Sequence, residues 1–120
     1  MLKKVLIVDD APHTCKAVKL LLESEGFEVE IANNVQECTA KLKKETPDLI
    51  LLDILMPGVS GTSALRSLIN SLAGIKIIMF SVISTDYYKK LCEELGAADY
   101  ITKPFDNEDL VRRVKKALGE

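Results

Sequence analysis

Long hydrophobic runs are missing from this sequence. Its apolar stretches, such as VLIV at 5–8 and LILL at 49–52, fall far short of the roughly 20 residues a membrane-crossing helix needs. Lys3 and Lys4 precede VLIV as they would in a secretory leader, but the run is too short for one and ends in two aspartates. Cysteine is scarce. Cys15, Cys38 and Cys92 are odd in number, far apart, and form no C-x-x-C pair. That excludes a disulfide framework and a thiolate zinc site, and suits small core or helix residues in a reducing compartment. No charge of one sign dominates: 16 basic against 18 acidic residues give a net charge of −2. A strong general attraction to nucleic acid or anionic membranes is therefore not expected. Linkers, internal repeats and low-complexity tracts are absent too, so the 120 residues read as one domain, 1–120, in the cytoplasm.

What is present is a regular alternation. Short apolar runs recur at VLIV (5–8), FEVEI (27–31), DLILL (48–52), KIIMF (76–80) and DYI (99–101). The first, third and fourth are continuous, as in strands covered on both faces. FEVEI alternates like an edge strand, and the short DYI suits the other edge. Between and after the runs, apolar residues recur at helical spacing: Val18, Leu21, Leu22; Val35, Cys38, Leu42; Leu65, Leu68, Ile69, Leu72; Tyr88, Leu91, Cys92, Leu95; and Leu110, Val111, Val114, Leu118. Asn33 or Asn34, Ser60, Ser84 and Asp106 are candidate N-caps, Gly26 and Gly96 sit where helices end, and Pro12 suits a first turn. Five β-α units predict an α/β fold, a doubly wound five-stranded parallel sheet with helices on both faces.

In such a sheet, ligands gather at the carboxyl ends of the strands. Asp9 and Asp10 follow the first strand, Asp53 the third, Ser81 the fourth, and Thr102, Lys103 and Pro104 the fifth. The second strand ends in Ile31 and Ala32 and offers nothing ionisable. Each feature alone has a bland reading: a solvated acidic turn, a turn hydroxyl, a surface lysine. Asp53 is the exception, because a charge inside LILLDILMPG is costly unless compensated. Three carboxylates on one rim repel one another. A divalent cation removes the conflict, and all-oxygen ligands suit Mg²⁺. With a fixed lysine and a hydroxyl beside them, these are parts for metal-assisted phosphoryl transfer, with aspartate as nucleophile.

The motifs VLIVDD (5–10), DLILLDILMPGVSG (48–61), IIMFSV (77–82) and GAADYITKPF (96–105) span nearly the whole chain. In this order and spacing the sequence resembles the receiver domain of two-component response regulators, of the single-domain, chemotaxis-regulator-like kind. The resemblance implies a flavodoxin-like (βα)5 fold with strand order 2-1-3-4-5. It implies Asp53 as phosphoryl acceptor, and Asp9 and Asp10 as the Mg²⁺-holding pair with Asp10 the direct ligand. The Leu55 main-chain carbonyl would be a further ligand, and Lys103, preceding a cis Pro104, would contact the phosphoryl group. Ser81 and Tyr100 match the switch residues, and Met56, Pro57, Gly58 and Gly61 the loop after the acceptor. One departure stands out: Val82 occupies a position where similar domains usually carry Ala or Gly. Together with Leu55 and Ile83 it is expected to tune access of water to Asp53.

The implied function is a signalling switch and not an enzyme, beyond catalysing its own phosphorylation and dephosphorylation. Its partners would be a sensor histidine kinase or histidine phosphotransfer protein upstream. Downstream, an effector protein would bind the face of the fourth helix, fifth strand and fifth helix, with no direct nucleic-acid or membrane role. Lys89, Lys90, Arg112, Arg113, Lys115 and Lys116 make that region basic, although such spacing equally describes a solvated helix face. A flavodoxin-like FMN binder is disfavoured because VDDAPH is acidic where a phosphate loop should be. An Asp-nucleophile phosphatase of the haloacid dehalogenase type would carry D-x-D after the first strand. A degenerate receiver acting as a scaffold would not need the full set of site residues. The single histidine, His13, reads as an exposed first-turn residue.

Overall fold

The computed structural model describes residues 2–53, 55, 56, 59–71 and 74–120. Five strands form one parallel sheet: β1 (Lys4–Val8), β2 (Glu28–Ala32), β3 (Leu49–Leu52), β4 (Lys76–Ser81) and β5 (Asp99–Thr102). Their spatial order is β2-β1-β3-β4-β5, as the resemblance implied. Five helices alternate with them: α1 (Pro12–Ser24), α2 (Val35–Lys44), α3 (Gly61–Ser71), α4 (Asp86–Leu95) and α5 (Asn107–Ala117). A two-residue antiparallel ladder, Leu55–Met56 against Val59–Ser60, follows β3. Pro57 and Gly58, which the sequence places in this loop, lie outside the described residues, as do Leu72 of the third helical stripe and the side chain of Ser60.

The continuous apolar runs serve two cores at once, because successive strand residues point to opposite faces. Val5, Ile7, Leu49, Leu51, Ile78, Phe80 and Ile101 face one way, against Cys15, Val18 and Leu22 of α1 and Leu110 and Val114 of α5. Leu6, Val8, Ile50, Leu52, Ile77 and Met79 face the other, against Cys38 of α2, Leu65 of α3 and Cys92 of α4. All three cysteines are buried and unpaired.

Helix ends follow the expected chemistry with one shift. Asn34 caps α2 by accepting from the Glu37 N–H at 2.8 Å, and Asp106 caps α5 through the Asp109 N–H at 3.0 Å. For α4 the cap is Thr85, not Ser84. The helix starts at Asp86, so the Thr85 hydroxyl is the one in register to accept from the Tyr88 N–H, at 3.4 Å. Gly96 ends α4 in the left-handed region at φ 110°, where a side chain would be strained. No helix among the described residues is long and apolar enough to cross a membrane.

Candidate functional site

The parity of the strands decides where the site falls. Asp9 continues the face of Val5 and Ile7, Asp53 that of Leu49 and Leu51, and Lys103 that of Ile101. All three therefore emerge on the α1/α5 side of the sheet's carboxyl edge. Ser81 and Tyr100 have the opposite parity and belong to the α2–α4 side, where Tyr100 packs on the second core.

Main-chain hydrogen bonds extend the sheet one residue past its assigned ends and fix each functional residue. The Asp9 N–H donates to the Ala32 carbonyl at 3.1 Å, Asp53 N–H to Val8 at 2.9 Å, and Lys103 N–H to Ser81 at 2.7 Å. The Lys103–Pro104 peptide is cis, as expected.

These constraints bring four charges together. Carboxylate oxygens of Asp9, Asp10 and Asp53 lie within 4.8 Å of one another. Asp9 is fully buried, Asp53 is 5% exposed, and Asp10 is open to solvent. The Lys103 ammonium donates to Asp9 Oδ2 at 2.5 Å and stands 3.5 Å from Asp53 Oδ2. The Phe80 ring supports it from below, 4.5 Å from the charge. Asp9 Oδ1 accepts from the Ala11 N–H at 3.0 Å, and Asp53 Oδ1 from the Leu55 N–H at 3.0 Å.

The charges do not balance. One lysine faces three carboxylates, which leaves two negative charges on the rim. Burial above all pushes the Asp53 carboxyl above its ordinary range. The Leu55 N–H and Lys103 pull it down, and Asp9 pushes it up again. Among the described residues Asp10 has neither a hydrogen bond nor an ion pair. A hard divalent cation fits this donor set: three oxygen ligands, a residual charge of the right sign, and one side open to water.

Ser81 and Tyr100 are adjacent to the carboxylates rather than bonded to them, and both act on one residue. The buried Ser81 hydroxyl accepts from the Ile83 N–H at 3.1 Å, while the Tyr100 hydroxyl donates to the Ile83 carbonyl at 2.5 Å. The Tyr100 ring is half-buried, and burial raises its phenol pKa. His13 is exposed and outside the acidic cluster.

Two contributors escape a sequence reading. The end of β2 carries no ionisable group, but Asn33 just beyond it donates its side-chain amide to the Asp9 main-chain carbonyl at 3.0 Å. Cys15 donates its thiol to the same oxygen at 3.3 Å. Burial, then the nearby Asp9, pushes that thiol up to about 11. The available signal was topological: β2 pairs with β1, so residues after both strands meet.

The profile of the response regulator receiver domain matches residues 5–115. This chain belongs to that family. A transcriptional regulatory protein CpxR homolog from Haemophilus influenzae is 38% identical over 117 residues, which are 98% of this chain and 51% of that protein. The chain thus spans about half the length of that curated relative. A CheY-like receiver domain protein from Methanospirillum hungatei superposes with a TM-score of 0.93 at 36% identity, covering 99% of this chain and 95% of that one. A response regulator from Thermotoga maritima gives 0.93 at 32% identity with both chains fully covered. The receiver's acidic rim and lysine therefore sit in a chain whose family rests on both sequence and fold.

Proposed function

We propose that this receiver, one unit across 1–120, accepts a phosphoryl group on Asp53 and relays the event through altered protein contacts in the cytoplasm. The observation that carries the reading is the convergence of Asp9, Asp10, Asp53 and Lys103 on one rim, with two negative charges left uncompensated.

Asp53 Oδ1 is held by the Leu55 N–H, so Oδ2 is the oxygen left to attack. It forms a bond to phosphorus as the P–N bond of a phosphohistidine breaks. The electron pair returns to the imidazole of a sensor kinase or phosphotransfer protein, which takes up a proton. Lys103, 3.5 Å from that oxygen, is placed to meet the incoming phosphoryl oxygens. Mg²⁺ at Asp9, Asp10, Asp53 and the Leu55 carbonyl would supply the charge neutralisation that the carboxylates and phosphoryl group need. The rigid ladder bonds at Asp9, Asp53 and Lys103 keep the groups oriented without further reorganisation.

Ser81 is positioned as the switch hydroxyl. Moving it toward a phosphoryl oxygen releases the Ile83 N–H, and Ile83 is also where Tyr100 is anchored. The change then reaches the α4–β5–α5 face. There a groove of about 440 Å³ is lined by Lys89, Cys92, Asp99, Tyr100 and Arg113 among others. This is the surface proposed for the effector protein. Its basic residues are partly neutralised already: Arg112 and Arg113 pair with Asp109, Arg113 also with Asp99, and Lys115 with Glu25. That partial neutralisation favours a protein partner over direct nucleic-acid binding.

Incubation with a small-molecule phosphodonor and Mg²⁺, followed by intact mass, tests the reading. One added phosphoryl group is expected, lost in Asp53→Ala and on chelation. No incorporation in the unmodified chain under any condition would leave a protein-binding scaffold instead. Steady turnover of an external phosphate ester would point to a phosphatase.

A further inference from the structure

Two asparagines follow β2, and they do different work. Asn34 caps α2. Asn33 does not cap; its amide reaches back across the strand pair to the Asp9 carbonyl at 3.0 Å. The same amide lies 3.9 Å from the Cys15 sulfur, and the Cys15 thiol also donates to the Asp9 carbonyl. One main-chain oxygen thus receives two side-chain donors from two different elements. On the other side of the residue, the Asp9 N–H is fixed to Ala32. Among the described residues, Asp9 is the only member of the acidic cluster whose main chain is held at both its N–H and its carbonyl by groups outside its own loop.

We propose that Asn33 is a positioning residue for the Mg²⁺ site, acting with Cys15 to fix the Asp9–Asp10 peptide. The inference rests on the receiver reading above and goes beyond it. The Asp9 carbonyl belongs to the peptide that joins the two acidic residues, so its direction sets where both side chains leave the backbone. Asp9 is buried and stays in place through Ala11 and Lys103. Asp10 is exposed and has no partner among the described residues, so the peptide plane is what orients it. Partners one step removed from a metal commonly contribute ten-fold or more to its affinity by this kind of orientation.

Isothermal titration with Mg²⁺ on the whole chain decides the matter. Asn33→Ala is expected to bind Mg²⁺ roughly ten-fold more weakly. Asn34→Ala removes a helix cap instead, so it should lower the melting temperature with Mg²⁺ affinity unchanged. Asn33 is exposed, which favours folding of the variant. Asn33→Asp gives an independent arm, since it keeps the size but cannot donate to a carbonyl. Its added negative charge would tighten cation binding if charge alone mattered, whereas loss of the bond predicts weaker binding. Amide resonances of Asp9 and Asp10 should move in both Asn33 variants before any metal is added. Affinity within two-fold of the parent in Asn33→Ala, or unchanged or tighter binding in Asn33→Asp, would overturn the proposal. If the unmodified chain itself binds no Mg²⁺, the metal reading fails, which is a separate outcome.

Discussion

The two ends of β1 both carry a nearly buried ionisable residue, and they treat it in opposite ways. At the amino end Lys4 is 7% exposed and faces Glu45 at 2.8 Å and Glu30 at 3.2 Å. Its own N–H is taken by Asp48 at 2.7 Å. Those carboxylates stand in solvent, so the surplus negative charge is screened by water. At the carboxyl end part of the imbalance is buried: Asp9 and Asp53 share one lysine out of solvent, and the exposed third carboxylate, Asp10, has no partner among the described residues. The same strand therefore begins in a cluster whose carboxylates each have a partner and ends in one where Asp10 has none among the described residues. A charge deficit of this kind in a partly buried carboxylate cluster is what a bound cation would offset.

The largest effect should come from removing the deficit. Asp53→Asn is expected to abolish phosphoryl uptake while the fold persists, because the amide oxygen can still accept from Leu55. It should also stabilise the protein at pH 7. Burial raises the Asp53 carboxyl in the folded chain, so the folded state holds that proton more tightly than the unfolded one. Ionisation therefore lowers stability as pH rises through the carboxylate range, and asparagine escapes that loss. Thermal melts of both proteins should differ at pH 7 and converge below roughly pH 4. A lower melting temperature for Asp53→Asn at pH 7 would mean that Lys103 already compensates the charge.

A crossed pair of lysine variants sharpens the contrast. Lys103→Met should slow phosphorylation by about 100-fold, the usual scale for one lost electrostatic donor at a reacting oxygen. Lys4→Met should leave that rate alone and cost about 1 kcal/mol of stability, since its partners are exposed. Hydrogen bonding to Glu45 raises the Lys4 pKa above its ordinary value, against the lowering effect of burial. The Lys4 contribution is thus present below the ordinary lysine range and lost as pH climbs past the raised value. Denaturant melts and phosphorylation time courses on both variants give the comparison directly. A Lys4 variant that phosphorylates slowly would break the separation of the two ends.

How much of this was legible beforehand follows from the same contrast. The sheet could be read because its signal is local: LILL and VLIV need two apolar faces, and only a covered strand provides them. The parity that aims Asp9, Asp53 and Lys103 to one side is already in the spacing. The capping shift from Ser84 to Thr85 was not legible, because adjacent hydroxyls differ only in helix register. Nor was Asn33, whose partner is a main-chain oxygen 24 positions away. Contacts to backbone carry no residue-type signature at the receiving end. Lys4 was hidden for a related reason: it looked like part of a charged leader-like start, and its burial depends on three acidic residues from β2 and the α2–β3 turn.

The smallest expected effect lies at the mouth of the carboxyl-end site. Leu55 is 50% exposed and Val82 58% exposed, and Ile83 is half-buried. By resemblance to other receivers these apolar side chains are expected to flank the approach to Asp53, and exposed as they are they would restrict water by crowding rather than by burial. Val82→Ala should therefore open the approach and speed both phosphorylation by a small donor and loss of the phosphoryl group, each by a few-fold. A change in hydrolysis alone would implicate the ordering of the attacking water, because the donor's leaving group and the water use the same in-line position opposite Asp53 and only the water has to be oriented there. Rates measured on Val82→Ala, with Leu20→Ala as an exposed apolar control on α1, separate these cases. If neither rate moves, the mouth is already open, and the lifetime of the acyl phosphate is set deeper, at Lys103 and the buried oxygens of Asp9.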